Sequence, residues 1–271
     1  MTESAPQNLN PVDVFGPIFI EMNERLGRYE ATTEEAEAIV ALLELPEGAQ
    51  VLDAGCGFGR TAGALARIGV DATGIDISPV VIAEAERTNP GPRYLVHDLT
   101  QPLPDGVGPF DAVVNVYSSF GYGETIQDDL AVLKTWHAAL KPGGRLVMEL
   151  SDLERSIARI GPPGTVVDRD DNGVHEHLFI DPQTSILHVT YSFGGRSTEV
   201  LTRYYEADDL VALLRQAGFA EIERYGGFDK RPKTPEDRLV LTAVAGDLRP
   251  EGLIPGANSP EAPSRGGEGD R

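Results

Sequence analysis

The chain has 271 residues, of which 41% are hydrophobic, and a formal net charge of −20 at pH 7. This length allows one large α/β domain or two small ones, and the apolar content is sufficient for a buried core. Because so acidic a chain is repelled by phosphate backbones and anionic membranes, nucleic acids and membrane surfaces are disfavoured as partners and a small molecule is favoured.

The remaining composition points to a reducing compartment. Cys56 is the one cysteine of the chain, so no disulfide can form within it. No apolar run approaches membrane-spanning length, and the first ten residues lack the basic start and apolar core of a signal peptide. We therefore expect a cytoplasmic protein, either a monomer or a homodimer. No His, Cys or carboxylate cluster has metal-ligand spacing, so no metal is expected.

The first two predicted elements are helices. Residues 1–12 show no periodicity, whereas apolar residues recur at helical spacing over 14–26, a pattern that Pro17 is expected to interrupt early. A more regular helix is predicted to begin at Thr33, a suitable N-cap residue, and to bury its apolar stripe as far as Leu45.

The next stretch predicts a ligand site. A short apolar strand leads into a loop with glycine at positions 55, 57 and 59, which is followed by a helix and a second strand that ends at Asp76. Glycine lets the backbone turn sharply and lets a ligand approach where a Cβ would obstruct it. Free N–H groups at the helix start and a carboxylate at the strand tip suit a ribose-bearing ligand. A nucleoside-bearing cofactor is therefore predicted.

The pattern then alternates between helices and strands, which implies right-handed crossovers and a parallel sheet. The predicted elements are a helix over 79–87, strands over 93–96 and 110–116, a helix over 124–140 and a strand over 145–150.

The second half of the chain follows a different pattern. Over 161–205, three strand-like runs joined by short turns predict an antiparallel β insert in the α/β frame. A helix over 206–217 and two strands, over 221–225 and 239–245, close the domain, which we expect to span 33–245. Proline and glycine without periodicity predict a disordered tail over 246–271.

The glycine spacing distinguishes between cofactors. A dinucleotide fingerprint requires glycine or alanine at position 60, where this chain has Arg60. Asp53-x-Gly55-x-Gly57-x-Gly59 instead resembles motif I of the class I S-adenosylmethionine-dependent methyltransferases. The resemblance covers about residues 30–245 and includes Asp76-Ile77, Asp98-Leu99 and the turn at 140–144. It implies a Rossmann-like seven-stranded sheet with an antiparallel last strand, and the β insert capping the active site.

Several further segments resemble the small-molecule N-methyltransferases, including amino-sugar enzymes of antibiotic pathways. They are residues 118–122, the insert, 203–210 and 226–229. The resemblance implies methyl transfer to a specialised metabolite, with N-methylation favoured. C-methylation of an indole-type ring and O-methylation on the same scaffold stay open. Other classes also stay open: an NAD-dependent oxidoreductase and a non-catalytic cofactor-binding protein.

The resemblance assigns cofactor-binding residues. It implies that Asp76 binds the ribose hydroxyls, that Asp98 accepts a hydrogen bond from the adenine amino group, and that Ile77 and Leu99 pack on the purine face. A second group is expected around the methionine part. It consists of backbone groups at Gly55, Gly57 and Asn115, together with Arg60 and with Arg28, which lies within an N-terminal lid segment over 1–32.

The acceptor site is predicted from the insert and from the segment after the fourth strand. Strand alternation places His175 and His177 on one face and Glu176 and Leu178 on the other, but does not tell which face is inward. Our hypothesis assigns catalysis to His175 and Tyr204. The substrate-binding residues would be Tyr117, Phe120, Tyr122 and Arg203. Aromatic walls suit a cationic amine or a flat ring.

Overall fold

A computed structural model of the protein describes residues 14–27 and 33–246. Its helices are α1 (Pro17–Arg25), α2 (Thr33–Leu42), α3 (Arg60–Arg67), α4 (Pro79–Thr88), α5 (Ile126–Ala139), α6 (Leu153–Ile160) and α7 (Ala207–Gln216). Its strands are β1 (Gln50–Ala54), β2 (Asp71–Asp76), β3 (Arg93–Val96), β4 (Phe110–Asn115), β5 (Leu140–Leu150), β6 (Val166–Asp171), β7 (Val174–Ile180), β8 (Ile186–Phe193), β9 (Arg196–Arg203), β10 (Phe219–Tyr225) and β11 (Leu239–Ala245). The expectations for residues 1–13, for Arg28 and for the tail beyond Gly246 lie outside the described residues.

Seven strands form one sheet in the order β10-β11-β5-β4-β1-β2-β3. Strand β1 pairs in parallel with β2 and β4, while β11 is antiparallel to both β5 and β10. The predicted Rossmann-like sheet with an antiparallel closing strand is therefore confirmed.

The central strands are apolar because both faces of the sheet are covered. In β4, Val113 packs into a core cluster with Trp136 of α5, whereas the adjacent Val114 packs into the cluster on the other face with Leu65 of α3. Continuous apolar runs are typical of parallel strands covered on both sides. The carboxyl ends of β1, β2, β4 and β5 consequently lie along one edge, where open α/β sheets bind ligands.

The insert forms a second, antiparallel sheet in the order β6-β7-β8-β9, which we call the cap. The sequence predicts three strands here, and the structure has four. Strand β6 was missed because its sequence, VVDRDD, is acidic and mostly exposed, so that it lacks the apolar content of a buried strand. The two-turn helix α6, which precedes it, was also missed.

Helix α1 connects the cap to the large sheet's ligand edge. Pro17 occupies the first turn of the helix, where the missing N–H costs no hydrogen bond, so it begins the helix rather than interrupting it. Just before the helix, the Phe15 carbonyl accepts a 2.7 Å hydrogen bond from Ser78 Oγ, the N-cap residue of α4. Glu21 pairs with Arg196 of the cap. These contacts place α1 between α4 and β9.

Candidate active site

A cavity of about 1190 Å³ lies between the carboxyl edge of the large sheet and the inner face of the cap. Pockets for one drug-sized ligand are typically about 300–1,000 Å³, so this cavity has room for a cofactor and a second small molecule. The glycine loop and the segments after β2, β3 and β4 line one part of it. Residues of α1, α6 and the cap line the rest.

The glycine loop presents an open edge to this cavity at Gly57. Gly57 has φ +52°, and a Cβ there would meet no atom within 4 Å. Gly59 has φ +77°, and a Cβ there would lie 2.4 Å from Tyr94 Oη. Gly59 thus packs against the protein itself, while Gly57 leaves space that a ligand can fill. This is the cradle expected for a cofactor.

Asp76 ends β2 beside the loop. Its Oδ2 accepts a 2.9 Å hydrogen bond from Gly57 N, and its Oδ1 accepts a 3.0 Å bond from Ser78 N. Burial raises the pKa of the carboxyl, and the two backbone donors oppose that shift. The carboxylate is fixed at the cavity wall in a position suited to accept from hydroxyl groups.

The expected adenine-side residues line the same cavity. Asp98 follows β3, and its Oδ1 accepts bonds of 2.9 and 2.8 Å from Thr100 N and Oγ1. Ile77 and Leu99 line the cavity together with it. The structure therefore brings Asp76, Ile77, Asp98 and Leu99 together, as the sequence predicts.

Asp53 supports the loop from below. Its Oδ2 accepts a 2.9 Å hydrogen bond from Ala62 N at the start of α3. Burial raises the pKa of Asp53 to about 7, although that hydrogen bond and the charge of Arg60 act in the opposite direction. The guanidinium of Arg60 lies 3.3 Å from the centroid of the Tyr117 ring and lines the cavity. Tyr117 donates a 2.5 Å hydrogen bond to Glu35, which fixes its ring.

Asn115 lies beneath the cavity and not at its wall. Its fully buried side chain donates bonds of 2.7 Å to the Ala54 carbonyl and 3.0 Å to the Ser119 carbonyl. The side chain thus ties β1 to the segment after β4, while the expected contact of the Asn115 backbone with the methionine part stays a prediction. Arg28 lies outside the described residues.

The inner face of the cap carries Tyr204 but not His175. The pattern of burial along β7 turns Glu176 and Leu178 inward and leaves His175 on the outer face, 3.2 Å from Asp170. His175 does not line the cavity, which corrects its assignment to catalysis. Tyr204 lines the cavity, and burial raises its phenol pKa, so the hydroxyl stays protonated.

Two more predicted acceptor residues have mainly structural contacts. Phe120 is buried with its ring centroid 5.7 Å from that of Trp136, and only part of it reaches the cavity. Arg203 is not part of the cavity lining: its Nε lies 3.4 Å from Asp129 and its Nη2 donates to the Glu124 carbonyl. This corrects the assignment of Arg203 to substrate binding.

Tyr117 and Tyr122 do line the cavity, as predicted. The Tyr122 ring makes an edge-to-face contact with Phe15, with the centroids 5.2 Å apart.

Sequence reasoning missed several wall residues. Tyr191 shares the inner face of β8 with Leu187 and Val189. These are every second residue of the strand, and this period of two was a usable signal. Arg155 and Arg159 reach the cavity from α6, whose two turns gave too short a periodic pattern to be noticed.

The described ranges contain neither a metal-binding cluster nor a membrane-spanning helix. Within residues 14–27 and 33–246, no group of three or more His, Cys, Asp or Glu side chains is arranged to hold a metal ion. None of the helices in these ranges has both the length and the apolar character needed to cross a bilayer.

Comparison with known proteins agrees with this geometry. A family model described as a methyltransferase domain matches residues 51–144. YqeM of Bacillus subtilis, described as a methyltransferase by inference, is 26% identical to this chain over 228 residues. The match covers 79% of this chain and 90% of YqeM. The ubiquinone biosynthesis O-methyltransferase of Xanthomonas axonopodis pv. citri is 34% identical over 146 residues, covering 48% of this chain and 58% of that enzyme. The chain thus spans less than two thirds of the second relative.

A solved structure extends the likeness to the fold. CalS10 of Micromonospora echinaspora, an amino pentose methyltransferase with S-adenosylmethionine bound, superposes with a TM-score of 0.63 at 23% identity, over 83% of this chain and 96% of its own.

The chain thus contains a methyltransferase domain over residues 51–144, and the sheet order and the hydrogen-bonded pair Gly57 and Asp76 at the cavity agree with an enzyme that uses S-adenosylmethionine. Its cofactor is S-adenosylmethionine, as the spacing at Arg60 predicts.

Proposed function

We propose that the protein transfers a methyl group from S-adenosylmethionine to an amine nitrogen of a small molecule, a specialised metabolite. The single observation that carries this proposal is the continuous cavity that joins the Gly57–Asp76 edge to the inner face of the cap. One part of it fits the cofactor, and the part under the cap fits an acceptor of limited size.

The cofactor part is built from groups that match the cofactor's chemistry. Asp76 would hold the ribose hydroxyls, Asp98 the adenine amino group, and the open edge at Gly57 the methionine part. When bound, S-adenosylmethionine supplies a methyl group already activated by its sulfonium. The protein is then required to orient the acceptor, exclude water and accommodate the loss of a proton.

The titratable groups around the acceptor part favour an amine. Burial raises the pKa of both Tyr122 and Tyr204, so these phenols donate hydrogen bonds and do not act as bases near neutral pH. Asp129 is engaged by the Tyr205 hydroxyl at 2.5 Å and by Gly123 N at 3.0 Å. A hydroxyl acceptor needs a base to become nucleophilic, whereas an amine can lose its proton to water before it binds.

The histidine at the described cavity wall, His97, lies beside Asp98 and not under the cap. Among the described residues, His97 is the histidine that lines the cavity, next to Asp98, with its Nε2 3.0 Å from the Pro102 carbonyl. A histidine base of the kind expected at His175 is therefore missing from the described wall. The aromatic side chains Tyr122, Tyr191 and Tyr204 suit a cationic or ring-bearing amine.

Among structural neighbours, an amino pentose methyltransferase is consistent with an amine acceptor, and an O-methyltransferase among the relatives keeps O-methylation as the alternative. Fold alone does not distinguish them.

A panel of matched acceptors tests the proposal. Purified protein with methyl-labelled S-adenosylmethionine is incubated with benzylamine and benzyl alcohol, with glucosamine and glucose, and with tryptamine and indole. We expect label on nitrogen in at least one amine and none in its hydroxyl counterpart. Label on oxygen or on the indole ring, with none on nitrogen, would overturn N-methylation.

A further inference from the structure

Two arginines on α6 face the cavity below the cap. Arg155 and Arg159 are four residues apart, which places them on one side of the helix, and both line the cavity. The chain as a whole carries a net charge of −20. Two neighbouring positive charges at a cavity wall are therefore unusual for this acidic protein.

Neighbouring cations are balanced by carboxylates, but these two are not. The balanced pairs are Arg238 with Glu149 at 3.0 Å, Lys233 with Asp152 at 3.0 Å and with Glu154 at 2.6 Å, and Arg169 with Glu176. Each of these acids is therefore already engaged by another cation.

Arg155 has only uncharged hydrogen-bond partners. Its Nη1 donates to Ser151 Oγ at 2.8 Å and its Nε to the Glu236 carbonyl at 3.1 Å. Arg159 is exposed and makes no hydrogen bond or ion pair with the described part of the chain. Burial lowers the pKa of Arg155, and the charges of Arg159 and Arg238 lower it further, whereas Glu149 acts in the opposite direction. The two guanidinium groups therefore repel each other at the wall of the cavity.

A ligand with a negative charge would relieve this repulsion. Guanidinium groups bind carboxylates and phosphates through charge-assisted, often bidentate, hydrogen bonds. We propose that the methyl acceptor carries an anionic group, a carboxylate or a phosphate, which Arg155 and Arg159 bind while its amine faces the cofactor. This inference rests on the proposed function and specifies the class of its acceptor.

Binding of simple anions tests the site directly. Protein saturated with S-adenosylhomocysteine is titrated calorimetrically with benzoate and, separately, with inorganic phosphate, and the anion that binds identifies the source of the charge. We expect one of them to bind wild type and to bind Arg159→Gln about 10-fold more weakly. The double variant with Arg155→Gln should lose binding further. Equal binding to wild type and Arg159→Gln, or no binding of either anion at millimolar concentration, overturns the inference.

Two features keep this test decisive. Arg159→Gln removes no hydrogen bond or ion pair with the described residues, so it should fold even where the loss of the Arg155 hydrogen bonds destabilises the double variant. Arg215→Gln, on the exposed side of α7, removes one positive charge elsewhere and should bind the anion as wild type does.

Matched acceptors separate this inference from the proposed function. Aminomethylbenzoate is compared with aminomethylbenzamide, and glucosamine phosphate with glucosamine. We expect kcat/KM to be about 10-fold higher for one of the anionic members, and Arg159→Gln to abolish that preference. If amines are methylated equally well with and without the charge, the anion site is wrong and the amine proposal stands. If the arginines bind anions but no amine is methylated, the amine proposal fails and the anion site stands.

Discussion

The backbone N–H of Gly57 donates a 2.9 Å hydrogen bond to Oδ2 of Asp76. This bond joins the loop after β1 to the tip of β2, so the open edge of the loop and the Asp76 carboxylate are held as one unit. We therefore expect some substitutions at this edge to weaken cofactor binding without unfolding the protein.

Two glycine variants separate ligand binding from folding. In Gly57→Ala the new Cβ enters the cavity, so we expect at least a 10-fold loss of affinity for S-adenosylhomocysteine, with a stability cost of only about 1 kcal/mol from the positive φ. In Gly59→Ala the Cβ meets Tyr94 and Ala85, so we expect a loss of about 3 kcal/mol or more. Urea unfolding and calorimetry measure the two effects. Equal destabilisation by both variants would show that the loop is packed differently.

Asp53 should make stability depend on pH. Burial raises its pKa to about 7 in the folded protein, above the value of about 3.9 in an unfolded chain. Between these values the folded state binds more protons than the unfolded state, so the free energy of unfolding falls as pH rises from about 4 to 7.

Asp53→Asn should remove that decline while keeping an acceptor for Ala62 N. We expect the variant to gain on the order of 3 kcal/mol relative to wild type between pH 4 and pH 7, measured by urea unfolding without ligand. Asp71→Asn, at an exposed position of β2, controls for the loss of one charge. Parallel pH profiles for wild type and Asp53→Asn would contradict the prediction.

Tyr204 and His175 lie on opposite faces of the cap, and their variants should differ accordingly. Tyr204→Phe removes one hydroxyl from the cavity wall, so we expect kcat/KM for the acceptor to fall about 10-fold with unchanged affinity for S-adenosylhomocysteine. His175→Ala, on the outer face, should leave both unchanged. A larger loss of activity in His175→Ala than in Tyr204→Phe would mean that the cap presents its other face to the acceptor.

The sequence predicts which residues meet at the ligand edge of the large sheet because the signals for them are local. Strand, glycine loop, helix and strand follow each other between Gln50 and Asp76, and the parallel sheet then brings Asp98 to the same edge. The acceptor part depends on which face of the cap turns inward. Alternation defines two faces, but tertiary packing of Leu178 and Val189 decides which of them is covered. His175 was therefore misplaced, while Tyr204 was placed correctly.

Segments with weak local signals were missed altogether. Strand β6 is stabilised by pairing with β7 and not by apolar content of its own. Helix α6 depends on its N-cap residue, Asp152, whose side chain accepts a 3.1 Å hydrogen bond from Arg155 N. Because α6 was missed, so were the arginines that it carries to the cavity.

The central claim is that Asp76 holds the cofactor at the edge of the large sheet. Calorimetric titration of wild type and Asp76→Ala with S-adenosylhomocysteine, and with NAD as the competing ligand, tests it most directly. We predict one site on wild type that binds S-adenosylhomocysteine but not NAD, weakened about 10- to 100-fold in Asp76→Ala by the loss of charge-assisted hydrogen bonds. Equal affinity in the two proteins, or binding of NAD in place of S-adenosylhomocysteine, would contradict the account.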